Sequence, residues 1–523
     1  MRVGRGGKGC RGDRGDRGGV RWRGGAPLAA ALAGGLLLAG CAPGEGASGT
    51  AKDTRGPAPK GPAASAAPHG DRDGDADHRS TFALDVDTAS YGYARRTLAE
   101  GRLPDPATVR PEEFVNSFRQ GYPRPAGNGF SVTLDGARTG GDGWRLMRVG
   151  LATAQAPASG ERPPAALTFV VDVSGSMGEP GRLDLVRTSL ATLTGQLRAD
   201  DSIALVTFSD EARTVLPMTR LGAPGKDTRD RVRGAIDTLE PTDSTNLDAG
   251  IRTGYATAVK GVRPGATNRV VLLSDALANT GETTADAILE RVADARRAHG
   301  ITLFGVGVGS DYGDALMERL ADRGDGHTAY VSSPADAREV FGRQLPANVE
   351  LRARDAKAQV TFDKRTVADF RLLGYRDRRV ADDDFRDDRV DGGEIGPGHT
   401  VTALYAVKLR EAAEGAGDRV ATATVRWLDP QSCAPREQSG TIAASALARP
   451  LWSDATPPRL RVSAVAAYLA HRLGDGSDEP FPAEPSLTRL AAHARQLRSD
   501  TEDADVRALA DAVREAAGLS GSR

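Results

Sequence analysis

Asp172, Ser174 and Ser176 stand at alternate positions directly after an apolar run, in the stretch TFVVDVSGSM from Thr168 to Met177. A carboxylate and two hydroxyls so spaced are hard oxygen donors. They suit Mg²⁺ or a similar ion and do not suit zinc or copper. Phe169, Val170 and Val171 have the apolar β-type character of a buried parallel strand, and Gly175 and Gly178 loosen the turn that follows. A helical pattern opens at Leu183. The donors therefore sit on a loop at the carboxyl end of a strand, where open α/β sheets bind ligands. Two further donors can converge there. Thr245 lies in Asp243-Ser244-Thr245-Asn246, just before a helix start at Leu247, and Asp275 closes the strand run Leu272-Leu273-Ser274.

Such donors need a sheet to hold them. Strands are expected at 167–172, 202–208, 269–274, 301–307 and 328–332. Helices are expected at about 183–198, 226–239, 247–260, 283–298, 313–322 and 334–345. Leu183, Val186, Leu190, Leu193 and Leu197 recur at helical spacing, the stripe that packs on a sheet. This alternation predicts an α/β fold with a doubly wound parallel sheet over 165–346. Residues 80–150 read as a smaller strand–turn–helix unit with short strands behind it, in which Asp85 and Asp87 are expected to serve as capping and turn carboxylates. Residues 350–450 alternate as β segments, and 459–519 are Ala/Leu-rich and helical, so 350–519 is expected to form a β-rich and helical module.

The five donors, taken in this order, resemble a von Willebrand factor type A (VWA) domain with a metal-ion-dependent adhesion site. That family carries DxSxS, then a Thr, then an Asp, which match Asp172, Ser174, Ser176, Thr245 and Asp275. The resemblance implies that both serines bind the metal directly, the Thr directly or through water, and that the two Asp residues hold metal-bound waters and steady the serines. Ala276 replaces the usual Gly after the last Asp, and Ser274 stands where Thr is common; neither change removes a ligand. The flanks ALDVDTASYGYARRTLAEGRLPDPATVRPEEFVNSF and FRLLGYRDRRVADDDFRDDRVDGGEIGPGHTVTALYAVKL resemble the N-terminal region and the uncharacterised C-terminal domain of a bacterial lipoprotein subfamily of these proteins. The expected ion is Mg²⁺, or Mn²⁺ or Ca²⁺. The expected partner is a protein that offers an Asp or Glu to the ion.

Composition bounds the remaining possibilities. The chain has 523 residues, enough for two or three domains, and a formal net charge of −1, which leaves no nucleic-acid footprint. Residues 26–40 are an apolar run of signal-peptide length, and Leu38-Ala39-Gly40-Cys41 resembles a lipobox. A lipoprotein signal peptide is thus expected over 1–40, lipid on Cys41, and a disordered tether over 41–79, whose Ala, Gly, Pro, Ser and charges show no apolar period. With Cys10 removed and Cys41 lipidated, Cys433 is expected to stand alone. Ser174 and Ser176 lie in no GxSxG elbow, and the chain has no HExxH or P-loop. The expectation is a non-enzymatic binding module, lipid-anchored at the extracytoplasmic face of the cell membrane. The alternative is a scaffold or assembly factor for envelope machinery with a structural metal site.

Overall fold

A computed structural model of the chain describes residues 78–521 except 141–142, 156–161, 224–227, 243, 276–284, 310–316, 318–319, 322–323, 325, 346–350, 389, 391, 412–416, 431 and 475–482. The expected signal peptide, Cys41, the tether up to residue 77 and Asp243 lie outside the described residues. Arg79, expected to end the tether, instead opens the first strand, where it pairs opposite Thr361.

In chain order the first part supplies β1 (Arg79–Ala83), α1 (Ala89–Ala99), α2 (Pro111–Asn116), β2 (Phe130–Arg138) and β3 (Trp144–Thr153). The middle part runs β4 (Ala165–Asp172), α3 (Leu183–Gln196), β5 (Ser202–Phe208), β6 (Ala212–Arg220), α4 (Thr228–Asp237), α5 (Leu247–Lys260), β7 (Thr267–Ser274), α6 (Ala285–His299), β8 (Thr302–Val308) and β9 (His327–Val331). The last part adds β10 (Arg354–Phe362), β11 (Val367–Leu373), β12 (Arg379–Val380), β13 (Thr400–Leu409), β14 (Arg419–Leu428) and β15 (Pro435–Ala443). Three helices, Pro458–Leu473, Leu487–Thr501 and Ala504–Gly521, close the chain.

The middle part forms a six-stranded sheet in the order β6-β5-β4-β7-β8-β9. Every neighbour pair is parallel except β5 and β6. The expected parallel sheet is therefore mixed at one edge, where β6 returns beside β5. Alternation along β4 fills both faces. Phe169 and Val171 pack with Val186, Leu190 and Leu193 of α3 and Ile236 of α4. Val170 packs with Ile251 and Tyr255 of α5, alongside Leu289 and Val292 of α6. The chain passes from β4 to β5 on one side and later places β7 on the other. Strand order therefore reverses at β4, and a crevice opens at its carboxyl end.

The first and last parts build two antiparallel sheets together. One has the order β12-β1-β10-β14-β15, the other β11-β13-β3-β2. β1 pairs with β10, and β3 pairs with β13. Both sheets thus use strands from either side of the α/β unit, which is inserted between β3 and β10. The inner faces share one core, in which Phe82, Val360 and Val425 of the first sheet meet Met147, Val149 and Tyr405 of the second. On the outer face of the second sheet, Leu146 and Leu404 join Leu98, Phe114 and the C-terminal helices through Leu469, Leu490 and Val513.

A buried polar junction ties the inserted unit to this frame. Asp87 is not a cap. Thr88 is the N-cap residue of α1, while the Asp87 carboxylate crosses to β9 and accepts bonds from the Thr328 N–H (2.8 Å) and hydroxyl (2.7 Å). Arg378 pairs with Asp87 at 3.2 Å and with Glu112 at 3.5 Å, and His327 lies 3.6 Å from Asp87. Cys433 is disulfide-bonded, against the expectation of a lone thiol.

Candidate metal centre

Asp172 ends β4 and is fully buried. Its loop is pinned from below. The Val173 N–H donates to the Phe208 carbonyl at 2.9 Å, and the Met177 N–H donates to the Ser174 carbonyl at 3.0 Å, while the Met177 side chain enters the core. The turn over Gly175–Gly178 then lifts Ser176 to partial exposure, while Ser174 stays buried.

Four of the five expected donors form one hydrogen-bonded chain. Asp172 Oδ1 accepts the Ser174 N–H at 2.8 Å. The Ser174 and Ser176 hydroxyl oxygens are 3.1 Å apart. The Ser176 hydroxyl donates to Asp275 Oδ1 at 3.0 Å. Asp275, just beyond β7, is fully buried as well. Thr245 lies buried at the head of α5 on a neighbouring segment. That segment runs beside the loop, since the Thr242 N–H donates to the Val173 carbonyl at 2.6 Å. Asn246 fixes the turn: its side-chain oxygen accepts the Ala249 N–H at 3.1 Å as an N-cap, and its amide donates to the Asp210 carbonyl at 3.2 Å.

Two residues the sequence reading did not assign complete the arrangement. The Ser274 hydroxyl donates to Asp172 Oδ2 at 2.5 Å. Arg182 donates to Asp275 Oδ2 at 2.5 Å and to the Ser176 carbonyl at 3.2 Å. A sequence signal for Arg182 existed. It stands four residues before Val186, on the stripe that carries Leu190 and Leu193, where an apolar residue is expected.

The donor set fits a hard divalent cation. Asp172 is buried, and both of its oxygens accept neutral donors. Burial pushes its carboxyl up. Hydrogen bonds from Ser274 and Ser174 pull the other way, and the negative charge of Asp275 adds to the rise. Two buried carboxylates facing one guanidinium leave a surplus of negative charge that a cation relieves. Among the described residues no group of three or more His, Cys, Asp or Glu side chains forms a metal cluster. The oxygens gathered here are two carboxylates and three hydroxyls, a set for Mg²⁺, Mn²⁺ or Ca²⁺ rather than zinc.

Comparison with known proteins matches residues 166–343 to the von Willebrand factor type A domain and residues 349–442 to the family described as "Uncharacterized protein YfbK, C-terminal". Residues 69–143 match a family described as "von Willebrand factor". The chain is homologous to "Uncharacterized protein YfbK" of Escherichia coli (strain K12), at 35% identity over 340 residues, 63% of this chain and 58% of that protein. It is 28% identical over 204 residues to "Uncharacterized protein sll0103" of Synechocystis sp., covering 38% of this chain and 45% of that protein. The chain thus spans about half the length of these curated relatives. Among solved structures, "von Willebrand factor type A from Catenulispora acidiphila" aligns with 75% of this chain and 91% of its own, at 16% identity and a TM-score of 0.45.

Proposed function

Starting from residues 166–343 as a VWA domain, we propose that this chain is a protein-binding module. In this reading Asp172, Ser174, Ser176, Thr245 and Asp275 hold a divalent metal ion, and the site receives an acidic residue of a partner protein. The observation that carries it is the hydrogen-bonded chain from Asp172 through Ser174 and Ser176 to Asp275, at the point where strand order reverses. When bound, the ion supplies a Lewis-acid position for an anionic oxygen. The chain's own residues do the rest. Asp172 and Asp275 supply charge, the Ser274 hydroxyl and Ser174 N–H orient Asp172, and half-exposed Ser176 keeps one side of the site open to solvent. The reading is of a binder and not an enzyme. It includes placement at the outer face of the cell membrane through lipid on Cys41, on the strength of the apolar run and the Leu38-Ala39-Gly40-Cys41 sequence.

Two experiments test it. Asp172→Ala and Asp275→Ala should each lower Mg²⁺ affinity by about 10- to 100-fold in calorimetric titration, with the far-UV circular dichroism unchanged. A partner retained from membrane extracts in Mg²⁺ should be released by EDTA and by Asp172→Ala; equal retention under all three conditions ends the adhesion reading. That outcome would favour the second reading, a scaffold for envelope machinery with a structural metal. The insertion of the VWA unit into a frame built from both flanks suits a rigid platform of that kind.

A further inference from the structure

Arg182 is 4% exposed, and its head reaches polar groups around the proposed metal site. One arm binds Asp275 at 2.5 Å and the Ser176 carbonyl at 3.2 Å. The other meets Glu179 at 2.6 Å, a carboxylate that is itself 63% exposed. Its stem lies against Gly309, where an added Cβ would come within 2.8 Å of the guanidine Nε. Both Asp275 and Ser176 belong to the proposed ligand set. Asp172, the other buried carboxylate, has only neutral donors on its oxygens.

We infer that Arg182 is a positioning residue that acts as a resident cation. It holds Asp275 and the Ser176 backbone in place when no ion is bound, and it opposes the ion electrostatically when one is. This rests on the metal-site reading above. The consequence lies in metal affinity. Arg182 already offsets the charge of Asp275, so guanidinium and ion compete for that one carboxylate, and Arg182 moderates the affinity of the site for the ion.

The test uses the full chain and the variants Arg182→Gln and Arg182→Lys, with thermal unfolding in EDTA and in saturating MgCl₂ alongside calorimetric Mg²⁺ titration. Arg182→Gln should lose melting temperature in EDTA, recover most of it in MgCl₂, and bind Mg²⁺ about threefold tighter or more than wild type. Arg182→Lys, which keeps the charge, should stay near wild type in Mg²⁺ affinity. Equal or weaker Mg²⁺ binding by Arg182→Gln, with wild type binding normally, overturns the inference, because Arg182 would then act through geometry alone. Failure of the wild type to bind Mg²⁺ overturns the metal-site reading itself and this inference with it. If Arg182→Gln folds only in MgCl₂, the refolding midpoint reads the same affinity. If it fails to fold in MgCl₂ too, the inference is overturned, since charge alone would be made good by the ion.

Discussion

At the scale of single residues, the acidic and hydroxyl donors were legible because the family pattern needs oxygen atoms at fixed offsets, and Asp172, Ser174 and Ser176 supply them within one loop. The residues that steady them were less so. Ser274 could be read only as a substitute for a commoner Thr. Its bond to Asp172 crosses from β7 to β4 and is set by strand pairing, not by local spacing. Removing that hydroxyl leaves a buried carboxylate oxygen without its donor, which costs about 1–3 kcal/mol. Ser274→Ala should therefore lower stability by that amount in urea unfolding and weaken Mg²⁺ binding in the same protein. A variant with unchanged midpoint and affinity would show that Ser274 does not orient Asp172.

At the scale of elements, the central strands were readable because they are buried on both faces and so appear as unbroken apolar runs, as in Val270–Leu273. β6 was not expected. It is an antiparallel edge strand with Arg213 and Thr214 exposed and Pro217 within it, so it has neither the apolar run nor a clean alternation. α5 was readable, but the closeness of its packing was not. Gly250 and Gly254 face the sheet one turn apart, and a Cβ on Gly254 would lie 2.3 Å from Val170 Cγ2, while one on Gly250 would lie 2.6 Å from Phe208 Cγ. The two glycines let the helix sit directly on β4 and β5, which sets where Thr245, just before its N-cap Asn246, stands. Gly254→Val should destabilise the protein by about 1–3 kcal/mol through overpacking. It should also weaken Mg²⁺ binding by displacing Thr245; denaturant titration and calorimetry read the two effects separately.

At the scale of the whole molecule, the family matches at 69–143 and 349–442 fall on strands of the same two sheets. No local pattern announces this, because β1 and β10 are brought together across the entire inserted unit. Residues 349–523 expressed alone lack β1, β2 and β3, and should show no cooperative melt by circular dichroism. Asp87 was misread for the same reason, since its partner Thr328 is remote in sequence. The junction around it also sets an acid limit. Burial and the charge of His327 push the His399 imidazole down to about 4. Burial alone would raise the Asp87 carboxyl, but His327, Arg378 and Thr328 outweigh it and hold it below its usual range. An imidazole depressed on folding gives stability that is complete above its ordinary value of about 6.5 and is lost as pH falls towards its folded value. The Asp87 contribution is lost at still lower pH. Melting temperature should therefore fall from pH 6.5 to 4, and His399→Gln should flatten that fall. The pairing of β1 with β10 has a mechanical consequence as well. Arg79 lies opposite Thr361 and Ala83 opposite Lys357, while the VWA unit enters β10 from its Arg354 end. Tension between the chain before Arg79 and the metal site pulls these strands lengthwise in opposite directions. The rungs of the ladder then carry the load side by side instead of peeling open in turn.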